Sequence, residues 1–144
     1  MRHYLDTSAI VKLMAAETGS DSVKMVVDTS DGLHTCRIAY PEARAAIAAM
    51  ERGSRLDREG VHAAKVVLEW LWVRVSVQEV TATLATAAGD LAERHALRGF
   101  DALHLAAALE VAADDLVMAT WDLRLSRAAQ TSGLRVLPAD LPGA

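Results

Sequence analysis

The sequence predicts a three-layer α/β domain, a mostly parallel sheet of about five strands between helices. Three observations lead there. Short β-like runs alternate with amphipathic helical runs along the chain, which is how helices packed on a parallel sheet are written. The 144 residues fit a single domain spanning positions 1–144 and suffice to bury one core. Apolar residues make up 52% and charged residues 24%, a globular balance rather than a disordered one.

The elements follow in order. Arg2 to Leu5 reads as a first strand, and Asp6-Thr7-Ser8 as capping residues for a helix with Ala9, Ile10, Leu13 and Met14 at helical spacing. A second helix runs from Ser20 into Val27 and stops at the turn-rich Asp28-Thr29-Ser30-Asp31-Gly32. Leu33 to Cys36 is a short strand. Pro41 suits a first helical turn, with Glu42 beside it and an Ala/Ile/Met run to Met50. A helix covers Asp57 to Leu71, Val73, Val75 and Val77 alternate as a strand, and a further helix spans Val80 to His95. A nearly all-apolar helix opens around Asp101. Leu116–Ala119 is a fourth strand, Asp122–Thr131 a last helix, and Leu134–Leu137 a fifth strand. The tail Pro138–Ala144 is expected to be loosely held.

Composition excludes several classes. One cysteine, Cys36, rules out an intrachain disulfide and reads as a buried, inert thiol in a reducing compartment. The N-terminus carries no apolar run of signal-peptide length. Uncharged stretches stay near ten residues, against the roughly 20 needed to span a bilayer, so a cytoplasmic protein is expected. A net charge of −4 lacks the basic footprint of a nucleic-acid enzyme. Metal-holding carboxylates would count against that total, however, and only three of the fifteen basic residues are Lys. Arginine is the better fork for phosphate, although a GC-rich genome gives the same bias. Charge decides nothing.

Asp6, Glu42 and Asp122 share one position, just after a strand-like run and at or near the start of a helix. In an open parallel sheet such junctions line the carboxyl edge, where sites form. Asp101 opens a helix whose next eight residues, Ala102–Leu109, bear no formal charge, so its carboxylate stands beside the core. Each of the four is equally explained as a helix N-terminal residue, worth about 0.3–2 kcal/mol. Convergence on one edge favours a site, because clustered carboxylates repel unless a cation holds them. Hard oxygen donors suit Mg²⁺ or Mn²⁺. The five His and one Cys show no paired ligand spacing, which argues against zinc.

Four stretches carry a resemblance: Tyr4-Leu5-Asp6-Thr7-Ser8-Ala9, Glu42-Ala43-Arg44-Ala45-Ala46, Gly99-Phe100-Asp101-Ala102-Leu103-His104-Leu105-Ala106, and Ala119-Thr120-Trp121-Asp122-Leu123-Arg124-Leu125. In this order, ending on Gly133-Leu134-Arg135-Val136, the sequence resembles the PIN-domain nucleases, and among them the VapC-type toxins of toxin–antitoxin systems. Trp121 departs from that pattern, which usually has a small residue there. The resemblance implies a PIN-like fold, cleavage of RNA with Mg²⁺ or Mn²⁺, neutralisation by a cognate VapB-type antitoxin, and a homodimer. It also implies that Asp6 and Asp101 are the principal metal ligands. Glu42 and Asp122 would act directly or through metal-bound water, and either can accept a proton.

Neighbouring residues carry weaker signals. Thr7, Ser8 and Thr120 suit hydrogen bonds to the carboxylates or plain capping. His104 lies one turn after Asp101, as expected of a core histidine. Arg44 and Arg98 flank the carboxylates as surface arginines within reach of phosphate, while Trp70 and Trp72 are expected to pack. A receiver-like phospho-acceptor domain is the main alternative, but no Lys follows Lys65, where that fold needs one after its last strand. A PIN fold that binds RNA without cutting it is the other; the complete acidic quartet argues against it.

Overall fold

The structure, a computed structural model, describes residues 1–142. Its elements are β1 (Arg2–Leu5), α1 (Thr7–Met14), α2 (Ser20–Thr29), β2 (Gly32–Cys36), α3 (Ala39–Arg52), α4 (Arg58–Trp72), β3 (Ser76–Gln78), α5 (Ala82–His95), α6 (Gly99–Glu110), β4 (Leu116–Ala119), α7 (Leu123–Thr131) and β5 (Arg135–Leu137). The five strands form one parallel sheet in the order β3-β2-β1-β4-β5. From β1 the chain first builds outward through β2 and β3, then returns to the other side of β1 for β4 and β5. The order thus reverses between β1 and β4, and at such a switch point a crevice opens beyond the carboxyl ends of the strands. A receiver-like sheet would instead read 2-1-3-4-5, so the topology sides against that alternative.

Side-chain alternation along the strands divides the core into two layers. Tyr4, Cys36, Leu116 and Met118 pack with residues of α5, α6 and α7 on one face. Leu5, Leu33 and Ala119 pack with residues of α1 through α4 on the other. Helix α6 is held on nearly every side: Ala102, His104, Leu105, Ala106, Ala107 and Ala108 are all buried. That explains its long uncharged run, and it carries Asp101 to the edge of the core.

Boundaries shift where a turn imitates an element. The expected Val73/Val75/Val77 strand shrinks to Ser76–Gln78, because α4 continues to Trp72 and Val73 caps it at 81% exposure. Trp72 packs edge-to-face on Tyr40 at 5.1 Å as expected. Trp70 does not pack: Leu68 and Leu71 take the core face of α4, leaving Trp70 43% exposed beneath the Arg74 guanidinium. Cys36 is buried, and burial pushes its thiol pKa up, as an inert thiol requires. In the tail, the Gln130 amide donates to the Ala139 carbonyl at 3.4 Å; Gly143 and Ala144 lie outside the described residues.

Two imidazoles tie stability to pH. His3 is buried with Nδ1 2.9 Å from the Ser30 hydroxyl, and burial, then the N-terminal ammonium and Arg135, lower its pKa below the ordinary 6.5. His34 is lowered by burial and by Arg2. In both, the unfolded chain takes up a proton at a higher pH than the folded one. Their contribution is therefore complete above pH 6.5 and lost as the pH falls through the folded pKa. Urea midpoints should be level from pH 8 to 7 and decline below about 6.5, and His3→Gln should flatten part of that decline. An unchanged decline in the variant would acquit His3.

Candidate active site

Asp6 is the most deeply built of the four carboxylates, at 3% exposure. It follows β1 and caps α1, accepting from the Ala9 N–H through Oδ1 at 2.9 Å. The Ser8 hydroxyl donates to the same oxygen at 2.6 Å, and the Thr120 hydroxyl donates to Oδ2 at 2.5 Å. Each hydroxyl in turn accepts a backbone N–H from the loop after β4: Ser8 from Trp121 at 2.9 Å, Thr120 from Asp122 at 3.1 Å. Asp6 is thereby tied to the start of α7 across the switch point. Burial raises its pKa, against the lowering effects of His104 and of these hydrogen bonds.

Asp122 caps α7 with Oδ1, accepting from the Leu125 N–H at 2.8 Å. Capping and a role in a site are therefore compatible: the cap uses one oxygen and leaves the other, Oδ2, facing the crevice. Asp101 sits in the first turn of α6 but caps nothing; Arg98 is the cap position and forms no side-chain cap. The Arg98 guanidinium joins the two carboxylates, with Nε donating to Asp101 Oδ2 at 2.9 Å and a terminal nitrogen 3.7 Å from Asp122 Oδ2. Arg98, Asp101, Asp122 and Arg124 line a cavity of about 290 Å³.

Glu42 reaches the same edge from the first turn of α3. Its Oε1 accepts from the Thr7 hydroxyl at 2.6 Å and lies 2.8 Å from His104 Nε2. His104 is 2% exposed, and its Nδ1 is 2.9 Å from the hydroxyl of Tyr4, which is fully buried. A carboxylate only accepts, so Nε2 donates to Glu42, and Nδ1 pairs with the Tyr4 hydroxyl. Burial pushes the Glu42 pKa up, but the bonds from His104 and Thr7 outweigh it and leave the carboxyl below its ordinary value. Burial holds the Tyr4 phenol well above its ordinary value, so it stays protonated and remains a donor.

All four predicted carboxylates thus stand on one edge of the sheet, linked by shared partners: Asp6 to Asp122 through Thr120, Asp101 to Asp122 through Arg98, and α6 to Glu42 through His104. Among the described residues, no three His, Cys, Asp or Glu side chains close around a common ion position as they stand. The reason is visible in the bonds: Glu42 is turned toward His104 and Thr7, and a guanidinium occupies the space between Asp101 and Asp122. The donor set itself is all oxygen and anionic, which fits a hard divalent cation, and the place between Asp101 and Asp122 already accommodates positive charge.

Sequence reading left Thr7, Ser8 and Thr120 between two roles; in the structure all three bond carboxylates. It took His104 for a core residue and missed its link to Glu42. Arg44 turns aside, donating to the Tyr40 hydroxyl at 3.2 Å. Trp121 is accommodated because its indole lies against Gly19, where a Cβ would come within 2.8 Å of the ring nitrogen; Gly19 also takes φ +95°. Its bulk leaves the cap at Asp122 intact.

Residues 3–130 match the family model of the PIN domain. The chain belongs to the PIN-domain family. Ribonucleases VapC45 and VapC49 of Mycobacterium tuberculosis are each 46% identical to it over 138 residues, covering 96% of this chain and 96% of theirs. Among solved structures, a toxin–antitoxin complex from Klebsiella pneumoniae contains a chain of the same fold, with a TM-score of 0.66 and 14% identity over 97% of this chain and 99% of that one. The PIN fold explains the mixed use of caps and carboxylates here, since β1, β4, α3 and α6 all present their ends to one crevice. Among the described residues of this PIN domain, no helix is long and apolar enough to cross a membrane.

Proposed function

We propose that this PIN-domain protein is a metal-dependent endoribonuclease that acts in the cytoplasm as the toxin of a type II toxin–antitoxin pair, neutralised by a cognate VapB-type antitoxin. What supports the chemistry is the placement of Asp6, Glu42, Asp101 and Asp122 along the carboxyl edge beside the switch point, in a chain 46% identical to two proteins named ribonucleases. Asp6 and Asp101, with Asp122 and Glu42 beside them, would hold Mg²⁺ or Mn²⁺. When bound, such an ion neutralises phosphate charge and lowers the pKa of a coordinated water. Asp6 contributes a carboxyl group held in place by Ser8, Thr120 and the Ala9 N–H. Glu42 stays ionised because His104 and Thr7 hold its charge, so it is available to take a proton from the attacking water. Arg98, paired here with Asp101 and Asp122, would be available to a substrate phosphate where those carboxylates hold the ion.

The purified protein should cleave RNA with Mg²⁺ or Mn²⁺ and stop in EDTA. Its expression alone should arrest bacterial growth, with relief from the co-expressed partner. Undiminished cleavage in EDTA by protein shown to be metal-free would refute the mechanism, and absence of any RNA cleavage with either ion would refute the activity.

A further inference from the structure

The crevice does not end at the carboxylates. A second cavity of about 560 Å³ lies alongside α7, lined by His95, Asp122, Leu123, Arg124, Arg127, Ala128 and Thr131. It shares Asp122 and Arg124 with the cavity that contains Arg98 and Asp101, so the two adjoin, and together they are called the trough. Its volume lies in the range of pockets that take a group the size of a nucleotide, roughly 300–1,000 Å³.

The charges along this trough are unusual for a chain of net charge −4. Arg124 and Arg127 are exposed and stand one turn apart on α7. Among the described residues, Arg98 is the arginine of the trough that carboxylates hold; the one bond of Arg124 is to the Ala96 carbonyl at 3.5 Å. Cations three apart on a helix repel. Arg124 also sits in the first turn of α7, just after the capping Asp122, where the helix dipole disfavours positive charge. An anion lying in the trough would relieve both effects.

We propose that this trough is the track for the sugar–phosphate backbone of the RNA, with Arg124 and Arg127 on the phosphates that flank the one being cut. The proposal rests on the ribonuclease reading and specifies where the strand runs. Continuity decides the occupant: a chain whose scissile phosphate lies among Asp6, Asp101 and Asp122 brings its next phosphates over Arg124 and then Arg127. An acidic segment of a protein partner would satisfy the same charges without needing that alignment with the carboxylates.

The test is anisotropy of a fluorescent, mixed-sequence, single-stranded RNA oligonucleotide, titrated in EDTA so that it stays intact, over a series of salt concentrations. Arg124→Gln/Arg127→Gln should weaken binding by about tenfold or more. It should also lower the slope of log K against log salt by about 1.4, the value for two lost contacts to a single strand. The same variant should melt no lower than the parent, which shows that it folds. Arg124→Lys/Arg127→Lys should regain much of the slope, because the charges return. Arg52→Gln/Arg58→Gln, on the opposite helical layer, should bind like the parent. If the parent cuts and binds RNA and the Arg124/Arg127 variant matches it in affinity and slope, the track is wrong and the ribonuclease reading stands. If the variant keeps its RNA affinity but loses the antitoxin, the trough is a protein-docking surface and the proposal falls. If the parent neither binds nor cuts RNA, the ribonuclease reading falls and takes the track with it.

Discussion

Asp101→Asn should lower RNA cleavage by at least about a hundredfold, the scale expected when one charge-stabilising contact is lost from a reaction centre, while leaving the fold where it was. The structure separates these effects. Asp101 caps no helix N–H, and its bond is to Arg98, whose side chain is 76% exposed. An ion pair with its cation in solvent and its carboxylate 15% exposed contributes on the order of 1 kcal/mol. The amide keeps the side chain's size and can still accept from Arg98. What it lacks is the charge, and with it a share of the cation affinity of the edge. Cleavage measured at saturating Mn²⁺ and urea unfolding in EDTA read the two effects independently. A variant that cleaves at the parental rate would remove Asp101 from the site; one that unfolds several kcal/mol more easily would make it a structural residue.

That separation was partly legible in the sequence. The junction of strand and helix could be read for Asp6, Glu42 and Asp122 because a capping residue, a short β-like run and a helical period are all local features. The buried environment of Asp101 followed from the uncharged run Ala102–Leu109, which the structure explains by the packing of α6. The order β3-β2-β1-β4-β5 could not be read, since local periodicity says nothing of which strands become neighbours. Nor could the start of α6 at Gly99: the preceding Arg98 caps without a side-chain bond, so no cap residue announces it. The Val73/Val75/Val77 alternation misled because a helix end followed by a turn can expose one valine and bury the next, as a strand does.

Long-range polar bonds were the least legible part. Tyr4, His104 and Glu42 are widely separated in sequence, and a tyrosine in a strand or a histidine in an apolar helix reads as core. Both are core by burial. Their polar atoms must nevertheless find partners, because an unpaired buried donor is costly, and Glu42 provides the end of that chain. No buried side-chain nitrogen or oxygen among the described residues is left unpaired. Folding requirements and site geometry thus coincide: satisfying the buried His104 is also what fixes the Glu42 carboxylate.

Asp6→Ala should be the opposite of Asp101→Asn, removing activity and a large part of the stability together. The substitution removes the α1 cap, worth about 1 kcal/mol. It also strips the acceptor from the buried Thr120 hydroxyl, at about 1–3 kcal/mol, and from the half-buried Ser8 hydroxyl at less than that. One term offsets these: burial raises the Asp6 pKa, so deleting the carboxylate also deletes its desolvation cost. The expected net loss is about 2–4 kcal/mol, a fall in Tm on the order of 10 °C for a chain of this size. Asp6→Asn distinguishes the two roles. Its amide oxygen can keep the cap and one hydroxyl, and its nitrogen can donate to the other, so most of the stability should return while cleavage stays abolished. An Asp6→Ala protein melting like the parent would mean that the bonds from Ser8 and Thr120 do not hold the loop between β4 and α7. Recovery of cleavage in Asp6→Asn would mean that the site needs the shape of Asp6 and not its charge.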